Sequence, residues 1–195
     1  MSGLTQINRA KHVFDKDLLI TIIKILVFSK MFYCSSVWSN TSVTNINKLQ
    51  AIQNFTARIV TRSRKFDHIT PILKQLRWMP VKDHFFYRDA ILTFKCINRM
   101  APANLSSRFI KRGTISGRST RNANKLDIPR YKTATVQRTF LYRAVTIWNN
   151  FPIDTKLIFS INIFKRKLKN HFFNESTLIF NIIIFCFLFS LIFVL

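Results

Sequence analysis

FSKMFYCSSVWSNTSVTNINKLQAIQNFTARIV, Phe28–Val60, holds the end of one apolar helix, a polar connector and most of a second helix. Thr44–Thr61 reads as that second helix, because Ile46, Leu49, Ile52, Ile59 and Val60 fall on one arc of a 3.6-residue wheel. Asn47, Asn54, Arg58 and Arg62 take the opposite arc, with the two arginines one turn apart at i and i+4. That face suits phosphate or water equally well. Upstream, Asp17–Tyr33 is apolar nearly all round, broken by Lys24 and Lys30. The two lysines and the aromatic end favour a buried helix over a membrane span. Ser35–Ser42, around Trp38, reads as a polar connector.

Downstream, Thr61–Thr70 is a basic link. Thr70-Pro71 has the pattern of an N-cap followed by proline at the first helical position, opening a short helix that reaches Leu76. Pro80 interrupts the chain. Val81–Asn98 then predicts a third long helix with Phe85, Ile91, Phe94 and Ile97 on its buried side, ended by Met100-Ala101-Pro102. The character changes beyond it: ten basic residues and one acid, Asp127, lie between Arg108 and Arg143. Gly113–Asn124 reads as an exposed basic loop. Leu126–Trp148, with β-branched and aromatic residues in weak alternation, predicts one or two short strands. Ser160 caps a last amphipathic helix whose Ile161, Phe164, Leu168 and Phe172 share one stripe, with Arg166 and Lys169 pointing away.

The expectation is a mainly α chain of three parts: a helical bundle over 1–104, a basic region over 105–174 with a loop, short strands and a short amphipathic helix, and an apolar C-terminal helix within 175–195. In the last part, Leu178–Leu195 carries no charge and just meets the length of a membrane span, with Lys165, Arg166, Lys167 and Lys169 before it. It reads either as a tail anchor, with membrane a possible partner, or as translation into AT-rich sequence beyond a lost stop.

The 195 residues carry 31 Lys and Arg against 8 Asp and Glu, a formal charge of +23. Such a surplus favours a polyanion, RNA or DNA backbone or anionic lipid, because each phosphate contact releases condensed counterions. A basic but inert surface is the plain alternative. Three scattered cysteines, Cys34, Cys96 and Cys186, imply neither a disulfide framework nor a zinc knuckle, so the expected setting is reduced and intracellular. The N-terminus lacks the apolar core of a secretory signal.

No constellation for catalysis is legible, and neither a metal nor a cofactor site is assigned. Asp15 and Asp17 are the closest acid pair, but they sit at a helix start, where capping and dipole complementarity explain them. His12, His68, His84 and His171 are scattered; His84 and Asp83 are helix neighbours that point different ways. Trp38, Trp78 and Trp148 each adjoin a turn in an apolar context, which favours core packing over base stacking. The candidate nucleic-acid contacts are Arg58 and Arg62 on the helix, Arg64 and Lys65 in the link, and Arg118, Arg121, Lys125, Arg130, Lys132, Arg138 and Arg143 beyond. A solvated face explains each one singly; their density without acids favours contact.

Seven landmarks occur in one order: SKMFYCSSVWSN (Ser29–Asn40), KLQAIQNFTARIV (Lys48–Val60), LRWMPV (Leu76–Val81), FKCINRMAP (Phe94–Pro102), RSTRN (Arg118–Asn122), QRTFLYRAVTIWNNFP (Gln137–Pro152) and FKRKLKNHF (Phe164–Phe172). Together, from about Gln6 to Phe173, they resemble the C-terminal third of jockey-like non-LTR (LINE-type) retrotransposon reverse transcriptases. The resemblance implies a helical thumb followed by a basic post-thumb region. It also implies that Arg58 and Arg62 face the template–primer backbone. The family's endonuclease and polymerase core, with its paired metal-binding aspartates, have no counterpart here, and the apolar end departs from the family pattern. The expected function is therefore that of a non-catalytic fragment that at most binds RNA or DNA backbone. The alternatives are a tail-anchored membrane protein with a basic cytosolic face and a domesticated nucleic-acid-binding host protein.

Overall fold

The computed structural model describes residues 2–117, 122–128, 133, 136 and 138–173. Its described part is mainly helical. The N-terminal half comprises α1 (Ser2–Ala10), α2 (Lys16–Ile23), a π-helical turn (Lys24–Phe28), α3 (Ser29–Met31), α4 (Ser35–Trp38), α5 (Val43–Thr61) and α6 (Ile69–Gln75). It is followed by α7 (Val81–Ile97), α8 (Ala103–Ser106), α9 (Arg112–Ser116), α10 (Phe140–Asn150), α11 (Ile153–Lys156) and α12 (161–173).

Three apolar clusters hold these helices. The first joins Leu19 and Ile23 of α2, Ala57 and Val60 of α5, Ile72 and Leu73 of α6, and Trp78. Met31, Phe32, Val81 and Phe85 form the second, with Trp38, Ile46, Leu49 and Ile52 packed against it. The third brings Ala90 and Phe94 of α7 onto Val145 and Trp148 of α10, Phe164 and Leu168 of α12, and Leu126. Helix α7 therefore supplies its first half to one cluster and its second half to another. The stripe on α12 is received within the fold: the Phe164 ring stacks on Phe94 at 4.5 Å.

Several expectations are corrected. Between Lys16 and Met31 the chain is helical but not buried all round, since Leu18, Ile25 and Leu26 are exposed while Leu19 and Ile23 are in the core. Residues Ser35–Trp38 form a helical turn rather than an irregular connector, and Cys34 enters it in the left-handed region at φ 45°. Helix α5 starts earlier than Thr44, because Ser42 caps it by accepting the Asn45 N–H at 3.3 Å. Helix α6 begins after His68, which places Pro71 inside the first turn, where a missing N–H costs nothing.

Among the described residues the short strands do not form, and the β structure amounts to an isolated antiparallel bridge, Lys111 to Leu126. Residues Phe140–Asn150 are an α-helix because Leu141, Ala144, Val145 and Trp148 recur every three to four residues and pack on α7. The expected basic loop contains the short α9 instead. Gly113 allows a close approach there, since a Cβ on it would lie 3.1 Å from that of Ala123. Asn149 holds this region to α10 by pairing its amide with both the N–H and the C=O of Leu126, each at 2.9 Å.

Candidate polyanion-binding groove

Helix α7 presents His84, Arg88, Ile91 and Lys95 along one stripe, at i, i+4, i+7 and i+11. Two adjoining cavities open on this stripe and share His84, Tyr87 and Arg88. The first, about 380 Å³, has Lys24 from the π turn, Arg77 from the α6–α7 connection and Lys169 from α12 on its walls. Lys95 and Lys165 line the second, about 420 Å³. No carboxylate lines either cavity. Six cations thus converge from four parts of the chain with no acid on the cavity walls, which focuses positive potential into the groove. The Arg112–Asp127 ion pair lies elsewhere, whereas Arg143–Asp89 borders the second cavity through Ser36, and Asp89 also feels the Arg88 charge.

The groove's walls are aromatic. Phe28, Phe32, Trp78 and Tyr87 border the first cavity, and Phe28 meets Trp78 edge to face at 4.7 Å. His84 stacks on Phe32 at 3.7 Å, and burial together with the nearby Arg88 charge lowers its pKa to about 4. It is therefore neutral at pH 7. Burial raises the Tyr87 phenol, so it keeps its proton as well.

Arg77 holds its place by backbone geometry. It follows α6 with φ 54°, while Trp78 N–H bonds back to Leu73 C=O at 2.9 Å and Arg77 N–H to Lys74 C=O at 3.0 Å. This Schellman-like ending places glycine in most helices, because a Cβ in the left-handed region costs about 1 kcal/mol or more. Two glutamines of α5 fix the connection that follows. Gln53 donates to Met79 C=O at 2.8 Å, and Gln50 accepts the Val81 N–H at 2.8 Å, capping α7 where Pro80 offers no side-chain oxygen.

The contacts expected from sequence fall into three sets. Arg118, Arg121, Arg130 and Lys132 lie outside the described residues, as does Leu178–Leu195. Arg62, Arg64, Lys65, Lys125 and Arg138 are exposed, and none of them lines the groove. Arg62 ends α5 at φ 57°, so it does not continue the helical stack with Arg58. Arg58 itself is half-buried and donates to Asp67 C=O at 3.1 Å, and Lys65 lies over the Phe66 ring at 5.7 Å.

Arg143 is occupied within the fold. Its guanidinium pairs with the buried Asp89 at 3.0 Å and donates to Ser36 C=O at 2.9 Å and Ser39 Oγ at 3.1 Å, tying α10 to α7 and α4. Burial raises the Asp89 pKa against the pull of Arg143, Ser36 and Arg88.

Of the acid pair, Asp15 occupies the N-cap position of α2 but makes no side-chain cap bond, and Asp17 lies in the first turn, where its charge complements the helix dipole. Trp78 and Trp148 are buried, and the Trp38 indole N–H donates to Tyr33 C=O at 2.7 Å, so all three belong to the core or its edge.

Sequence reasoning missed Lys24, Arg77, Arg88, Lys95, Lys165 and Lys169. Arg88 and Lys95, a heptad apart on α7, and Lys165 and Lys169, one turn apart on α12, carried a readable spacing; nothing in the sequence joins them to Lys24 and Arg77. Among the described residues no cluster of His, Cys, Asp and Glu is placed to hold a metal, and no helix is long and apolar enough to cross a membrane. No protein-family model, curated protein or solved structure matches the chain.

Proposed function

We propose that this chain binds the phosphate backbone of RNA or DNA through the α7 groove, without catalysing a reaction on it. The observation that carries this reading is the convergence of Lys24, Arg77, Arg88, Lys95, Lys165 and Lys169 on cavities that no acid lines. Like charges held this close repel one another, and a polyanion relieves that repulsion while releasing its own counterions. The exposed Arg62, Arg64, Lys65, Lys125 and Arg138 extend the basic surface beyond the groove, and Arg118, Arg121, Arg130 and Lys132 add to the same charge. With the sequence landmarks, this supports a thumb and post-thumb region like that of jockey-like retrotransposon reverse transcriptases. The mainly helical fold agrees with that reading only at the level of fold class.

Binding of the full chain to an RNA oligonucleotide, titrated against salt, tests it. Six phosphate contacts give log K against log salt a slope of about −4 on a single strand and about −5 on a duplex. Arg88→Gln and Lys95→Gln each flatten that slope by just under one. A slope near zero, or one unmoved by these substitutions, would sink the proposal.

A second reading rests on Leu178–Leu195: a tail anchor with the basic groove on the cytosolic side. It requires carbonate-resistant membrane pelleting that disappears when 178–195 are deleted.

A further inference from the structure

We infer that the first cavity takes one unstacked base of a single strand, so that the groove discriminates single-stranded nucleic acid from duplex. This rests on the polyanion reading above and adds to it what the cavity selects. At about 380 Å³ the cavity falls within the roughly 300–1,000 Å³ range of small-molecule sites, far more than a phosphate needs. Half-buried Tyr87 and Phe28 border it, aromatic surface of the kind on which bases stack irrespective of sequence.

Lys24, Arg77, Arg88 and Lys169 stand around the same space, where they meet the phosphates on either side of an inserted base. His84 faces both cavities, and as a neutral imidazole it offers a hydrogen-bonding edge where a fifth charge would favour phosphate alone. A duplex cannot use this cavity without unpairing and extruding a base, whereas a single strand presents one at little cost.

The test measures affinity of the full chain, kept in nonionic detergent, by fluorescence anisotropy at one salt concentration. Three probes of about 12 nucleotides, within the site size of single-strand binders, are compared: a uridine strand, an abasic strand of equal charge, and an RNA duplex. The expected result is that the uridine strand binds about tenfold or more tighter than the abasic strand, the effect of one stacked base, and tighter than the duplex.

Tyr87→Leu lowers the uridine-to-abasic ratio toward one, because it removes an aromatic face while the cations around the cavity stay. Ser29→Trp, which places bulk in the cavity from an exposed position on its lining, lowers the same ratio. Equal binding of uridine and abasic strands by the natural chain overturns the inference and leaves the groove intact as a backbone site. A ratio that survives both substitutions overturns the assignment to this cavity. Absence of binding to all three probes overturns the polyanion reading itself.

Discussion

Arg77 occupies a backbone region that resists a side chain, at the mouth of the groove. Glycine there removes the left-handed penalty, so Arg77→Gly is expected to raise stability by up to about 1 kcal/mol in urea unfolding. The same variant is expected to weaken RNA binding, which makes the strain a correlate of function. Arg143 has the opposite character. Removing its guanidinium leaves the buried Asp89 without its ion-pair partner, with only the Arg88 charge nearby, and Arg143→Ala is expected to cost about 3 kcal/mol. Arg143→Lys recovers little, because a single ammonium cannot reproduce the fork that reaches Asp89, Ser36 and Ser39 together. In the sequence these two arginines look alike; Arg143 stood among the expected contacts and Arg77 did not. What separates them is the presence or absence of a buried carboxylate within reach, a fact of folding.

Helix α7 is the element on which the groove depends. Its N-terminus is held by the amides of Gln50 and Gln53 on α5, and its two halves belong to different clusters. Gln53→Ala leaves the Met79 carbonyl without its donor in a buried position and is expected to cost about 1–3 kcal/mol by thermal or urea unfolding. Helices α5, α7 and α12 were legible because their apolar residues repeat at helical spacing over several turns, and the observed ends differ from the expected ones by a residue or so. The stretch Leu126–Trp148, which includes most of α10, reads as one or two short strands because its β-branched and aromatic residues favour β structure locally. Packing of Val145 and Trp148 on Phe94 and Phe164 overrides that preference.

The whole molecule combines a large positive charge with a half-buried, neutral histidine, and both make its behaviour depend on solution conditions. Between His84's ordinary pKa of 6.5 and its folded value of about 4, the unfolded chain binds the extra proton. His84 therefore contributes stability that is fully present above about pH 6.5 and is lost as pH falls toward 4, by at most about 1.4 kcal/mol per pH unit. Asp89, raised by burial, acts with the opposite sign, so the His84 contribution is isolated by comparison with His84→Gln. The natural chain is expected to gain more Tm than this variant between pH 4.5 and 6.5; parallel curves would show that His84 is not held neutral.

The sequence by itself determined the helical class, the excess of charge and the apolar stripes, because these depend on composition and on spacing within ten to twenty residues. Which cations face a common space was decided only by tertiary structure. Lys24, Arg77, Arg88 and Lys169 are strangers along the chain, brought to one cavity by the packing of the clusters on and beside α7. Burial likewise assigned Arg143 to the scaffold and His84 to its neutral form. Charge is a property of residues, whereas its availability to a partner depends on what each residue is packed against.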